Sequence, residues 1–169
     1  MRSRIGLIIL VVVVLIVVVI GGFTLAGRLL DPRNTPQYAV ALEFIEAVHR
    51  GDDAAAIQRI TPELQTWVAT NCPGGSISIC LLGFYIPDDW GNLLSVVFRR
   101  SEPVGSAWNV DMIATYEHGL GFSGVCIYTL TSQQPDGRWL VSSWAGFISC
   151  GDARSRDMAS NPDTPNRAP

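Results

Sequence analysis

The densest group of titratable side chains in this chain is Tyr116-Glu117-His118. A carboxylate beside an imidazole is the material of general acid–base chemistry, a base with its orienting partner. The stretch alternates in polarity, however, and neighbours on a strand point to opposite faces. Glu117 and His118 are therefore expected at a solvated strand end. Gly119-Leu120-Gly121-Phe122-Ser123-Gly124 has the glycine spacing of a dinucleotide-binding loop. That chemistry needs a strand before the motif, a helix after it and an acid about 20 residues further on. Strand pattern lies on both sides here, and Val141–Trp144 holds no acid, so the motif reads as a hairpin turn. His49 sits at the edge of an apolar helical face and reads as a packed border residue. Trp108 and Trp139 fall at strand starts, where core packing is the usual use of the ring. All 12 basic residues are Arg. Schiff-base and P-loop lysine chemistry is thereby excluded. No catalytic residue, cofactor or metal ligand is assigned.

Cys72, Cys80, Cys126 and Cys150 are even in number, form no C-x-x-C pair and are spaced by 8, 46 and 24 residues. Only His49 and His118 could complete a metal site, so two disulfides in an oxidising compartment are the better account. Four cysteines allow about three pairings. Cys72–Cys80 closes the shortest loop but forces Cys126–Cys150. With a hairpin turn at Asp136-Gly137, Cys126 lies opposite Phe147 and Cys150 falls further along, on the other sheet face unless a bulge intervenes. The expectation is therefore of non-local bonds tying the 72–80 segment to Cys126 and Cys150.

The elements that must position these residues divide the chain. Residues 1–30 carry a charge of +3 and residues 31–169 carry −6. An acidic domain without a basic face is not a nucleic-acid binder. Residues 5–26 hold no charge. As a helix they would span about 33 Å, enough for a bilayer core, so a transmembrane helix and lipid contact are expected there. Arg2 and Arg4 precede the span, which puts residues 1–4 in the cytoplasm and the rest outside. Thr24-Leu25-Ala26 loosely fits a cleavage site, and a secreted protein is the alternative. Gly22-x-x-x-Ala26 has helix-dimer spacing that arises by chance in most spans. Residues 27–35 read as a linker.

The folded unit is expected over residues 36–150. Thr35-Pro36 starts a helix with Tyr38, Leu42, Ile45 and Val48 at 3–4 spacing. Asp52 or Asp53 caps a short helix over 54–60, and Thr61-Pro62-Glu63 opens a third. The run at 71–92 has no clear type. From residue 93 the period becomes two, giving four strands with turns at 103–106, 119–121 and 135–137. The fold class is α+β: three helices packed on a curved four-stranded antiparallel meander. Phe44, Ile45, Leu64, Val110, Met112, Ile127 and Val141 are expected in its core. Residues 151–169, with three Pro and little apolar content, are expected to be disordered.

The helix carrying FIEAVHRGDDAAAIQRITPEL (Phe44–Leu64), followed by a meander ending in DGRWLVSSW (Asp136–Trp144), resembles the nuclear transport factor 2-like (cystatin-like α+β cone) superfamily, and within it the small bacterial members that are membrane-anchored or secreted. The resemblance implies a cone between helices and sheet. That superfamily holds isomerases, dehydratases, hydrolases and non-catalytic binding domains. Its enzymes often place an acid and a tyrosine in the cone, which makes Asp111 and Tyr128 pocket candidates beside Glu117 and His118. Asp111 alternates with Asn109 and Thr115, so it is expected to face water. The leading reading is a non-enzymatic extracytoplasmic domain that binds a partner or a small apolar molecule at the cell envelope. The alternative is a cone-pocket hydrolase or isomerase, with Asp111, Glu117 and His118 as the plausible suppliers of an ionisable group.

Overall fold

The computed structural model describes residues 12–22, 31–85, 88–118 and 124–169, and the chain divides into two units, Met1–Thr35 and Pro36–Pro169. In the first unit residues 12–22 are helical, with Val12 through Ile20 exposed. Among the described residues no helix is long and apolar enough to cross a membrane, which overturns the transmembrane helix expected over 5–26. Residues 5–11 and 23–26 of that stretch, with the Thr24–Ala26 cleavage pattern, lie outside the described residues. A short 3-10 turn at Pro32–Asn34 follows, and the Asp31 carboxylate accepts from the Arg33 guanidinium.

The second unit begins with α1 (Pro36–His49), whose Tyr38, Ala41, Phe44, Ile45 and Val48 form one buried face. Gly51, at φ +67°, turns the chain out of the helix and donates to the Val48 carbonyl. The Asp52 side chain caps α2 (Asp53–Ile57), accepting from the Ala55 N–H at 3.0 Å. This helix is shorter than expected because Ile60 leaves it to bridge Val141. Thr61 caps α3 (Pro62–Asn71) with Pro62 in its first turn, as its pattern predicts.

The unassigned stretch contains a fourth helix, α4 (Ile77–Tyr85), opened by the Ser76 hydroxyl accepting from the Ile79 N–H. The expectation of three helices therefore falls one short. The sequence ISICLLGFY offers no polar face to set a helical period, so its type is fixed by tertiary packing and by the Cys72–Cys80 disulfide, with Cα atoms 5.1 Å apart.

Strands β1 (Leu93–Val104), β2 (Ala107–Tyr116), β3 (Val125–Gln133) and β4 (Trp139–Ser149) form one antiparallel sheet in the order 1-2-3-4. The helices cover one face. Phe44, Ile45, Leu64, Val110, Met112, Ile127 and Val141, the expected core, are all fully buried there. Trp144 joins them, stacked on Phe44 at 5.8 Å and edge-on to Trp67 at 5.6 Å.

The second disulfide is Cys126–Cys150, so the expected non-local pairing is wrong. A bulge is the reason. Cys126 faces Ile148 and Ile127 faces Gly146, leaving Phe147 as the extra residue at φ +53°. The extra residue restores parity, so Cys150 comes to the face of Cys126 with its Cα 5.0 Å away.

Residues 151–169 do not hang free. They cross the outer face of the sheet, opposite the helices, and bury Ser155, Met158 and Thr164, while Ala168 near the chain's end joins the helix-side core beside Trp144. Met158 packs on Cys126, Tyr128 and Ala145. Near their end they meet the open edge of β4: the Gly146 N–H donates to the Pro165 carbonyl and the Ala168 N–H to the Trp144 carbonyl, both at 2.9 Å. Gly146 permits the approach, because a Cβ there would lie 2.7 Å from Met158 Sδ and 2.8 Å from the Cys126 carbonyl oxygen. The expectation of a disordered tail failed because it weighed only the segment's own apolar content and not the apolar sheet face beneath it.

Candidate functional site

Two rows of paired residues build a site on the outer face. One runs Arg100, Asp111, Tyr128 and Ala145 across the four strands, and the next runs Glu102, Asn109, Leu130 and Ser143. A register shift between Phe98 and Arg100 leaves Arg99 as an extra residue on β1. Both arginines reach the C-terminal segment: Arg99 Nη1 donates to the Ser155 carbonyl at 2.8 Å and Arg100 Nη2 to the Arg156 carbonyl at 2.6 Å. Between the sheet and the segment lies a pocket of about 590 Å³. That volume is in the range of small-molecule sites. Val104, Leu130, Ala159, Ala168 and Pro169 supply apolar wall. Arg100, Asn109, Tyr128, Ser143 and Arg167 supply donors, and Glu102 and Asp157 supply carboxylates.

Asp111 does not face water as expected. Its side chain is only 2% exposed, because the C-terminal segment and β1 cover the polar row of β2. One carboxylate oxygen accepts from Arg100 Nε at 2.5 Å, while Oδ1 is buried without a partner. Burial pushes the Asp111 carboxyl above its ordinary range, and the hydrogen bond and charge of Arg100 oppose that only in part. The Tyr128 hydroxyl donates to Asn109 Oδ1 at 2.9 Å, and burial pushes the phenol up to about 12. Arg167 lies over the Tyr128 ring, 5.9 Å from its centroid, and its Nη2 donates to the Met158 and Asn161 carbonyls. The structure thus brings Asp111 and Tyr128 together, on the outer face and not in the space between helices and sheet.

Glu117 and His118 lie elsewhere and are exposed. Glu117 accepts from the Asn92 main-chain N–H and side-chain amide, which hold its carboxyl below the usual range. The His118 N–H donates to the Trp90 carbonyl. Neither side chain lines the outer pocket. Gly119–Ser123 of the glycine motif lie outside the described residues. Gly124 is described at φ +119°, packed on the Ala114 carbonyl between two strands, and no helix follows it.

Sequence reading missed a second pair. His49 Nδ1 hydrogen-bonds the Ile45 carbonyl at 2.8 Å. A carbonyl only accepts, so Nδ1 carries the proton and Nε2 accepts from the Tyr116 hydroxyl, as their contact shows. Trp90 packs on Tyr116, and a surface cleft of about 430 Å³ opens beside His49, between α1 and β1. Burial holds the imidazole below its ordinary value and pushes the Tyr116 phenol up. The signal was faint: one histidine at the end of an apolar helical stripe and one tyrosine at the end of an apolar strand face.

A lowered histidine pKa means that the unfolded chain binds the proton more readily. Stability therefore rises with pH up to about 6.5 and is lost as pH falls below that. The thermal midpoint is expected to be higher at pH 7.5 than at pH 5.5, and the difference should shrink in His49→Gln. An equal difference in both proteins would remove His49 as its source.

No family model matches the chain, and no curated protein matches it. Among solved structures, the chain is similar to a Shewanella frigidimarina protein provisionally described as a ketosteroid isomerase, at 17% identity and a TM-score of 0.43, over 66% of this chain and 94% of that one.

Proposed function

We propose that residues 36–169 are a non-enzymatic binding domain that works in an oxidising compartment outside the cytoplasm and takes a small amphipathic molecule on the outer face of its sheet. The pocket between the sheet and the C-terminal segment carries this reading. Its guanidiniums and its phenol are already engaged, Arg100 with Asp111 and Arg156, Arg167 with Met158 and Asn161, and Tyr128 with Asn109. Groups held in this way orient a ligand at a partly apolar wall. They are poorly placed to exchange protons with one. Two disulfides support the compartment.

A neutral apolar fluorophore, N-phenyl-1-naphthylamine, tests the reading. Saturable binding is expected, and Leu130→Trp, which fills the pocket from a partly exposed position, should weaken it by about tenfold or more. Equal binding by both proteins, or none by the wild type, would overturn it. The enzyme reading retains one observation, the hydrogen-bonded His49 and Tyr116 beside their cleft. A neutral imidazole and a protonated phenol are a base and an acid in contact.

A further inference from the structure

The two disulfides differ in their surroundings. Cys72 and Cys80 belong to the helix-side core, 6% and 5% exposed. Cys126 is fully buried, but its partner Cys150 is partly exposed, one residue before Gly151 begins the C-terminal segment. Arg99 Nη1 stands 3.3 Å from Cys126 Sγ and, at 2.8 Å, also donates to the Ser155 carbonyl of that segment. The Ser155 hydroxyl in turn donates to the Cys150 carbonyl at 3.0 Å. One guanidinium therefore touches both the buried sulfur and the chain that the bond holds down.

We propose that Cys126–Cys150 is an exchangeable disulfide that controls the docking of residues 151–169, and that Cys72–Cys80 is structural. Exchange requires an accessible sulfur to attack and a leaving thiolate that is stabilised. Cys150 is the sulfur open to attack. The thiolate of an external dithiol forms a bond to Cys150 Sγ, the Cys126–Cys150 bond breaks, and its electron pair leaves on Cys126 Sγ. A cation within hydrogen-bond reach stabilises that thiolate. The second thiol of the reductant, as its thiolate, then attacks the mixed disulfide. It releases Cys150 as a thiolate that takes up a proton, and the reductant leaves as a cyclic disulfide. Two electrons have passed from dithiol to cystine. The segment has lost its covalent tie to β3 and keeps only its hydrogen bonds and the packing of Met158 and Ala168.

Graded dithiothreitol on the native full chain, with alkylation and peptide mapping, is the test. Cys126 and Cys150 should be labelled at reductant concentrations about tenfold or more below those that label Cys72 and Cys80. Arg99→Gln should slow the first step by about tenfold, and Arg99→Lys, which keeps the charge, should restore most of the rate. After selective reduction, amide exchange should quicken across residues 151–169 and stay slow in α1. Labelling of Cys72 and Cys80 first or together with the others would overturn the proposal. So would an Arg99→Gln rate equal to or above that of wild type. Unchanged protection of 151–169, or its loss in α1 as well, would show that the bond does not control this segment. If Arg99→Gln does not fold, the wild-type order of labelling and the exchange pattern still decide.

Discussion

Replacing Trp144 with alanine should destabilise the domain by about 3–5 kcal/mol, read as a lower urea midpoint at pH 7. Trp144 is 1% exposed and stands where three layers meet: Phe44 of α1 stacks on it, Trp67 of α3 packs edge-on, and its own carbonyl receives the Ala168 N–H. Truncation removes the ring from both aromatic contacts at once and leaves a cavity that rigid neighbours close only partly. Small domains hold about 5–15 kcal/mol in total, so much of the stability would go. Trp67→Ala is the comparison. Trp67 is partly exposed, so it should cost less than Trp144→Ala. A larger loss at Trp67 would move the centre of the aromatic cluster away from the sheet.

The contrast between those two tryptophans shows which parts of the fold could be read from the residues. Helix starts were legible where a polar cap and a proline stand before a period, as at Thr61-Pro62, because capping is local chemistry. The strand order was legible because short turns between alternating runs allow few topologies. The α4 helix was not, since ISICLLGFY carries no polar face. The disulfides turned on one residue: without the bulge at Phe147, Cys150 would point to the wrong face. Asp111 was misplaced for a related reason. Alternation tells which face a residue is on, and β2 does put Asp111 opposite Val110 and Met112, but it does not tell whether that face is covered. The covering was nevertheless written into β3. Val125-Cys126-Ile127-Tyr128 is apolar on both sides, as expected of a strand buried on both faces. The His49–Tyr116 pair joins residues 67 positions apart, which no local pattern reports.

A chain ending at Asp152 should retain the helices and the sheet but lose about 2–4 kcal/mol, because the buried Met158 side chain and the smaller Ala168 return to water. Met158→Ala in the full chain should by itself reproduce about half or more of that loss. The main-chain bonds from Arg99, Arg100 and Gly146 contribute less on balance, since water replaces them when the segment leaves. Asp111 supplies a second readout with a definite sign. Its carboxyl is raised in the folded state, so the folded chain binds the proton more tightly than the unfolded one. Stability from this group therefore falls as pH rises from about 3.8 through the raised value, and the cost persists at neutral pH. Removing residues 153–169 lets water reach Asp111 beside Arg100 and should bring its carboxyl back toward the ordinary range, which carbon-detected NMR titration measures directly. The shortened chain should then lose less stability than the full chain as pH rises over that window. An unchanged urea midpoint together with an unchanged Asp111 titration would mean that residues 153–169 contribute nothing to the sheet face they cover.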